Sequence, residues 1–175
     1  MMAQQSEIKD MGKSHYLTEQ DITAQYLSFT LGNEEYGVDI LSVQEIRSWE
    51  PVSRIPNVPS YEKGVVNLRG SIVPIIDLRE KLRIKFADYT SLTVVVVLQT
   101  TDDNKTRTMG VVVDSVSDVI TINKTEIQNT PDFGAKANNE FINGLISLDD
   151  RMIILLNVDK LLELEELEKI GRAHV

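Results

Sequence analysis

The stretch Gly64–Leu82 reads GVVNLRGSIVPIIDLREKL, and Gly144–Leu162 reads GLISLDDRMIILLNVDKLL. At a constant offset of 80 residues, both run through a glycine, an apolar run, a polar turn, a second apolar run and a short helix-like segment. Asp77 corresponds to Asn157, and both residue types are favoured at helix N-caps. The pattern predicts two β-hairpins, each followed by a short helix.

A second pair of similar segments lies upstream of the first pair. Tyr36–Ile46, YGVDILSVQEI, matches Met109–Val119, MGVVVDSVSDV, at an offset of 73 residues. Because the two pairs occur in the same order, we interpret the chain as a duplicated β module. Small antiparallel sheets need closure to hide their edges. Each module could form a small barrel, and because about 75 residues is near the lower limit for an independent core, the two are expected to share an apolar seam.

The remaining elements also read mainly as strand. The run at 92–99, LTVVVVLQ, is β-branched and predicts a buried strand, while spacing by three at 40, 43 and 46 allows one helical turn before a strand. Asp77 with Glu80 three residues later forms a capping-box pattern for a short helix. A second, C-terminal helix is predicted from apolar residues along one side: Leu161, Leu164, Leu167 and Ile170.

Composition excludes several classes of site. Eighteen Lys and Arg against 27 Asp and Glu give a formal net charge of −9, which disfavours nucleic acid as a partner. The chain has no cysteine and only two histidines, one near each end, so we expect no catalytic residues, no metal site and no cofactor. An enzyme would have to use acid pairs such as Asp102-Asp103 or Asp149-Asp150, which lie at predicted polar turns and are better explained as solvated loops.

The two ends of the chain are expected to lie outside the folded region. Residues 1–22 are polar and predict a mobile N-terminal tail, without the apolar core of a signal peptide. Residues 171–175 break the acidic pattern before them and are interpreted as an added tail. No apolar run approaches the roughly 18 residues that span a bilayer, so we expect no direct membrane insertion and a cytoplasmic location.

Arg69 is the position where the two halves differ most informatively. It precedes Gly70 in a tight turn, which leaves its guanidinium at a strand tip, free to pair with carboxylates. Its counterpart in the second half is Asp149, and the counterpart of Glu45 is Asp118. The first half therefore carries an acid and a base where the second carries two acids. This divergence indicates a functional difference, although an ordinary solvated turn residue is the simpler interpretation.

Four motifs in order carry a family resemblance. FTLGNEEYGVDILSVQEI, GVVNLRGSIVPIIDL, GVVVDSVSDV and RMIILLNVDKLL resemble the CheW family of bacterial chemotaxis coupling proteins, over about residues 25–168. The resemblance implies a mainly β fold: two intertwined five-stranded SH3-like β-barrels that share a hydrophobic core, with short helices including a C-terminal one. It places the domain at residues 23–170, with two barrel subdomains arising from the duplication.

The resemblance also implies a function and its residues. Such proteins are non-enzymatic adaptors that join the cytoplasmic tips of methyl-accepting chemoreceptors to the regulatory domain of the histidine kinase CheA, in arrays at the membrane. The alternative is a regulatory module of another two-component kinase system. The residues matching the receptor-facing positions are Ile40, Val43, Glu45, Ile46, Gly64 and Arg69. Those matching kinase-facing positions are Phe133 and Gln128. At the position of Gln128, some relatives of the family carry arginine.

Overall fold

The computed structural model describes residues 22–84, 88–131 and 140–163. Its strands are β1 (Thr23–Leu31), β2 (Glu34–Asp39), β3 (Val43–Ser48), β4 (Glu62–Leu68), β5 (Ser71–Asp77), β6 (Val94–Asp102), β7 (Lys105–Val113), β8 (Ser115–Asn123), β9 (Ile142–Leu148) and β10 (Arg151–Leu156). Helix α1 spans Leu78–Lys81, and 3₁₀ turns span Ile40–Ser42 and Lys124–Glu126. Residues 158–163 are helical.

The strands form two curled five-stranded sheets, in the orders β8-β1-β2-β10-β9 (sheet A) and β3-β6-β7-β5-β4 (sheet B). Strands β1 to β5 come from the first half of the chain and β6 to β10 from the second. Each sheet therefore mixes the halves, because the chain changes sheets after β2 and again after β7. The predicted intertwined pair of SH3-like barrels is confirmed. The simpler arrangement, one barrel from each half, does not form.

Strand register follows the same offsets as the repeated sequence segments. In the parallel pairing of β5 with β7, Ile75 faces Gly110. In the parallel pairing of β10 with β2, Leu155 faces Gly37. These two pairs are equivalent under the offsets of 80 and 73 residues found in the sequence. A β-bulge in β3 and its counterpart in β8 also fall at equivalent places. The two sheets are thus built to one plan.

The core of the described residues has three parts, which explains why β6 carries consecutive apolar residues over 94–98. One cluster lies between the sheets, and each sheet also encloses a cluster of its own. In β6, Val96 and Leu98 pack into the shared cluster, while Val95 and Val97 fill the barrel of sheet B. Because side chains alternate along a strand, both faces of β6 are buried. Leu161, in the predicted C-terminal helix, is also buried in the shared cluster.

The cap of α1 differs in one respect from the sequence prediction. Asp77 is the N-cap, and its Oδ1 accepts a hydrogen bond from the Arg79 backbone N–H at 3.1 Å. Glu80 does not reach back to complete the capping box, because the Asp77 N–H already donates to the Tyr61 carbonyl at 2.7 Å. The Glu80 carboxylate instead accepts a bond from Lys63 Nζ at 3.1 Å. The capping-box prediction was wrong because a neighbouring strand supplies the acceptor.

Several predictions fall outside the described residues. These are the N-terminal tail apart from residue 22, the added tail at 171–175, and the helix residues Leu164, Leu167 and Ile170. Among the described residues, none of the helices is long and apolar enough to cross a membrane. In the same part of the chain, His, Cys, Asp and Glu side chains do not gather in groups of three or more suited to hold a metal ion.

Candidate functional site

Arg69 lies at the tip of the β4–β5 hairpin, as the sequence predicted. Leu68 pairs with Ser71, so Arg69 and Gly70 form a two-residue turn with positive φ angles of 54° and 88°. Such turns match the right-handed twist of the flanking strands. The Asn67 side chain stabilises the turn by accepting a hydrogen bond from the Gly70 N–H at 2.8 Å. With 90% of its side chain exposed, Arg69 is presented to solvent rather than buried.

Arg69 pairs with Glu45 across sheet B. The distance from Arg69 Nη2 to Glu45 Oε2 is 3.4 Å, and Arg47 Nε lies 3.7 Å from the other oxygen of the same carboxylate. The sequence identified both residues but not their contact, because they lie on different elements. Exposed pairs of this kind stabilise a fold by only about 0–1 kcal/mol. The pair therefore contributes little to the stability of the fold.

The ion pair lies beside an open groove of about 380 Å³. Apolar and uncharged polar side chains line the groove together, and include Leu68, Ile72, Val73, Val97, Gln99, Thr106 and Thr108. Ile72 is 65% exposed, which is unusual for an isoleucine in a strand of a packed sheet. A groove lined by both polar and apolar side chains, with a charged pair at its rim, suits a peptide or helix better than a small ion.

The apolar residues predicted to face a receptor divide into two groups. Ile40 and Val43 are half-buried and pack against the shared core, so most of their surface is already used. Ile46 is 45% exposed and remains available. Sequence reasoning missed Leu41, which is 86% exposed on the 3₁₀ turn before β3. The sequence signal for this residue was Asp39. Its Oδ1 accepts a hydrogen bond from the Leu41 N–H at 2.9 Å, and this bond fixes the 3₁₀ turn on which Leu41 is exposed.

Gly64 has a role in the backbone rather than at the surface. It is buried with φ +146°, and a Cβ there would lie 2.0 Å from the Ser53 carbonyl oxygen. Ser53 and Val65 exchange two backbone hydrogen bonds, of 3.3 and 2.9 Å, along the outer edge of β4. Only glycine allows the covering segment to approach this closely. Gly64 thereby seals one edge of sheet B.

The second half seals its own edge in the same way. Gln128 exchanges backbone hydrogen bonds of 2.8 and 2.9 Å with Leu145 on β9, next to Gly144. A Cβ on Gly144 would lie 2.8 Å from the Gln128 carbonyl oxygen. The Gln128 side chain is exposed, so it remains available to a partner. Phe133, the other predicted kinase-facing residue, lies outside the described residues.

Known proteins share this architecture. The CheW-like domain family matches residues 25–166. The chain belongs to the CheW family. The chemotaxis protein CheW of Klebsiella aerogenes is 45% identical over 161 residues, covering 90% of this chain and 95% of the relative. That of Rhizobium meliloti is 38% identical over 144 residues, covering 82% and 90%.

A solved CheW structure shares the fold. The scaffolding protein TtCheW from Thermoanaerobacter tengcongensis superposes with a TM-score of 0.69 at 29% identity, covering 78% of this chain and 90% of that one. The family match at residues 25–166 extends through both sheets, which agrees with the family resemblance first seen in the four sequence motifs. As a CheW-like domain, the chain belongs to a family of chemotaxis scaffold proteins.

The CheW-like fold of this chain also contains a buried ion cluster that sequence reasoning missed. The Arg79 side chain is fully buried, with Nε 3.0 Å from Asp77 Oδ1 and Nη2 2.9 Å from Asp77 Oδ2. Its Nη1 lies 2.9 Å from Asp114 Oδ1. The other oxygen of Asp114 accepts a bond from the Gly32 N–H at 2.7 Å. One arginine thus joins the end of β5, the β7–β8 corner and the β1–β2 turn.

This cluster occurs in one half of the CheW-like domain only. The positions equivalent to Asp77, Arg79 and Asp114 carry Asn157, Asp159 and Leu41. Burial by itself lowers the pKa of Arg79, but hydrogen bonds and charge from the two aspartates outweigh it, so the pKa lies above its ordinary value. The sequence signal was weak, because Asp77 was already explained as a helix cap.

Tyr89 extends the buried ion cluster, and its ionisation makes the stability of the fold depend on pH. Its hydroxyl donates to Asp77 Oδ2 at 2.9 Å, and burial followed by the charge of Asp77 raises the pKa of the phenol. Folding therefore favours neutral Tyr89. The stability this contributes is present below the ordinary tyrosine pKa of about 10 and is lost as pH rises through the higher pKa of the folded state.

An alkaline titration followed by phenolate absorbance is expected to show Tyr89 ionising late, during alkaline unfolding. Tyr89→Phe should remove one late step, because the variant lacks this phenol. Tyr36→Phe is the control: burial and then the charge of Glu34 raise the pKa of Tyr36, so this variant removes a late step that does not depend on Asp77. If Tyr89→Phe instead loses an ionisation step near the ordinary tyrosine pKa of about 10, this hydroxyl is not held by Asp77.

Proposed function

We propose that this chain is a non-enzymatic chemotaxis adaptor that couples methyl-accepting chemoreceptors to the histidine kinase CheA in signalling arrays. Membership of the CheW family supports this proposal. Within the structure, the supporting observation is the exposed Glu45–Arg69 pair at the rim of a groove lined by polar and apolar side chains. We place the protein in the cytoplasm, recruited to membrane arrays through its partners.

Binding of a receptor tip follows from helix-in-groove recognition. An amphipathic helix of the receptor lays its apolar side chains against Ile46, Leu41 and the walls of the groove, and each Å² of apolar surface buried contributes about 25 cal/mol. Glu45 and Arg69 fix the register and orientation of that helix, since rim charges give specificity more than affinity. Ile40 and Val43 support the exposed residues from below.

Kinase binding uses the other half of the domain. The regulatory domain of CheA has the same barrel fold in the family, so adaptor and kinase domain meet through similar surfaces. Gln128 and Phe133 are the residues proposed to contact the kinase, by match to the family's positions. Individually modest interfaces are sufficient in an array, because linked sites raise the effective concentration of each partner. Signalling is then a change in packing between domains rather than a reaction.

Arg69→Glu is expected to weaken receptor binding by about tenfold or more, because a like charge placed beside Glu45 repels it and removes the orienting cation. The fold should remain intact, since Arg69 is exposed at a turn. The measurement is co-sedimentation with receptor-containing membranes, with circular dichroism to verify the fold.

The equivalent turn of the second half supplies the matched control for Arg69→Glu. Asp149 lies at that tip with φ 51°, so Asp149→Arg reverses a charge in the same backbone setting. It is expected to leave receptor binding unchanged. The swapped pair Glu45→Arg with Arg69→Glu should recover part of the binding. Unchanged binding by Arg69→Glu would remove this residue from the proposed receptor site.

A titration against the CheA regulatory domain tests the kinase half of the proposal. Gln128→Glu should weaken kinase binding while leaving receptor binding intact, because its side chain is exposed and its role in the fold is through the backbone. Absence of any binding by the folded wild-type chain to the kinase from the same cell would contradict the adaptor function.

A further inference from the structure

The barrel of sheet B has a seam where its two edge strands meet. In the order β3-β6-β7-β5-β4, strands β3 and β4 are the edges and are not paired with each other. Glu45 on β3 and Arg69 at the end of β4 bridge the seam at one end with a 3.4 Å contact. Ladder pairing holds β3 to β6 and β4 to β5, but the exposed pair contributes only about 0–1 kcal/mol, so the width of the seam must be set by other contacts.

The opposite end of the seam is held by aromatic and buried groups. Trp49 directly follows β3, and its ring stacks on Tyr89 with centroids 4.4 Å apart and planes 10° apart. The Tyr89 hydroxyl donates to Asp77 Oδ2, at the end of β5, at 2.9 Å. The Arg79 guanidinium lies 5.0 Å from the centroid of the same ring. A single tyrosine thus connects the end of β3 to the end of β5, the strand that leads back to the Arg69 turn.

We propose that Trp49, Tyr89 and Asp77 form a clasp that positions β3 against the β4–β5 hairpin and so sets the separation of Glu45 and Arg69. The clasp residues do not touch a partner. They are positioning residues that act through the strands they hold. The consequence for receptor docking rests on the proposed function, whereas the geometric claim does not.

The other barrel closes differently, which indicates that the clasp is specific to sheet B. The position equivalent to Trp49 is Ile122, which is 3% exposed inside the barrel of sheet A and lies within the longer strand β8. Asp77 is replaced by Asn157 there. Sheet A is therefore closed by a continuing strand and aliphatic packing. In sheet B, β3 ends at Ser48 and the Trp49 N–H donates one more backbone bond to the Thr93 carbonyl at 3.1 Å; beyond this bond the side chains of the clasp hold the end of the strand.

Space next to the seam allows it to change width. A cavity of about 50 Å³ lies between the end of β3 and the barrel interior, lined by residues that include Ser48, Val52, Val66 and Val97. Tightly packed interiors resist deformation, whereas a void gives side chains room to shift. Loosening the clasp should therefore change the seam before it unfolds the sheet.

Pulsed electron spin resonance between two labels tests the proposal directly. The chain has no cysteine, so two introduced cysteines can be labelled selectively. Labels at Ser48→Cys and Ser71→Cys, both exposed positions, span the seam of sheet B. Tyr89→Phe, which removes only the hydroxyl, should broaden the distance distribution, and Trp49→Leu should also shift it to longer distances. Receptor binding should weaken in the same order.

The repeat provides the matched control pair. Labels at Thr121→Cys and Arg151→Cys occupy the equivalent positions on sheet A, and their distance distribution should not change in either clasp variant. An unchanged Ser48–Ser71 distribution in folded Tyr89→Phe and Trp49→Leu would overturn the proposal, as would equal broadening at both pairs. If Trp49→Leu unfolds, Tyr89→Phe alone decides between these results. A wild-type chain that binds no receptor would contradict the proposed function and leave the distance result standing.

Discussion

Arg79→Met is expected to lower the free energy of unfolding by about 3–5 kcal/mol, the usual cost of removing one partner from a buried ion pair. The substitution leaves the Asp77 carboxylate fully buried without its cation, and Asp114 without one of its partners. Both carboxylates then carry an uncompensated desolvation cost. Chemical denaturation followed by circular dichroism measures the loss.

Replacing an exposed arginine by methionine distinguishes the energetic effect of burial from that of ion pairing alone. Arg151 makes a two-point contact with Glu35, at 3.0 and 2.9 Å, but its side chain is 52% exposed. Arg151→Met should cost only about 0–1 kcal/mol. The double variant Asp77→Asn with Arg79→Met should be more stable than Arg79→Met alone, because one unpaired charge has been removed. Equal losses for Arg79→Met and Arg151→Met would show that the buried cluster contributes nothing special.

Gly64→Ala is the second substitution with a large expected effect. The added Cβ would lie 2.0 Å from the Ser53 carbonyl oxygen, and alanine would have to adopt φ +146°. Overpacking costs about 1–3 kcal/mol, and backbone strain about 1–3 kcal/mol more. Relief requires the Ser53 segment to move away, which exposes the edge of β4. We therefore expect a loss of several kcal/mol and a tendency to aggregate through that edge.

Gly70→Ala is the control for Gly64→Ala, because Gly70 has φ +88° but nothing within 4 Å of its missing Cβ. Gly70→Ala should lower the free energy of unfolding only by the backbone strain, about 1–2 kcal/mol. Hydrogen exchange locates the effect: the Val65 amide, which donates to Ser53 at 2.9 Å, should lose protection in Gly64→Ala alone. If the Val65 amide keeps its protection in Gly64→Ala, the Ser53 segment still covers the edge of β4 and this prediction is wrong. A receptor-binding defect in Gly64→Ala should follow the loss of stability rather than of a direct contact.

Local patterns in the sequence were sufficient for much of the candidate site. The Arg-Gly step predicted the tight turn that exposes Arg69, and the repeat singled out Glu45 as the other charged position that differs between the halves. The contact between these residues could not be predicted, because it crosses a seam between strands that are not paired. The Arg79 cluster was missed for the same reason: Asp114 is distant in sequence, and Asp77 had a sufficient local explanation as a cap.

The sequence by itself determined that the chain is mainly β, that its segments repeat at constant offsets, where its tight turns fall and that β6 is buried on both faces. Side-chain period, turn residues and capping residues are local properties, and each is readable over a few positions. Only the tertiary structure decided that each sheet combines strands of both halves. In a duplicated chain β3 and β8 carry equivalent patterns, so local periodicity is equally satisfied whichever of them pairs with β1. The choice is made by long-range strand pairing and by the path of the connections, which no short segment records.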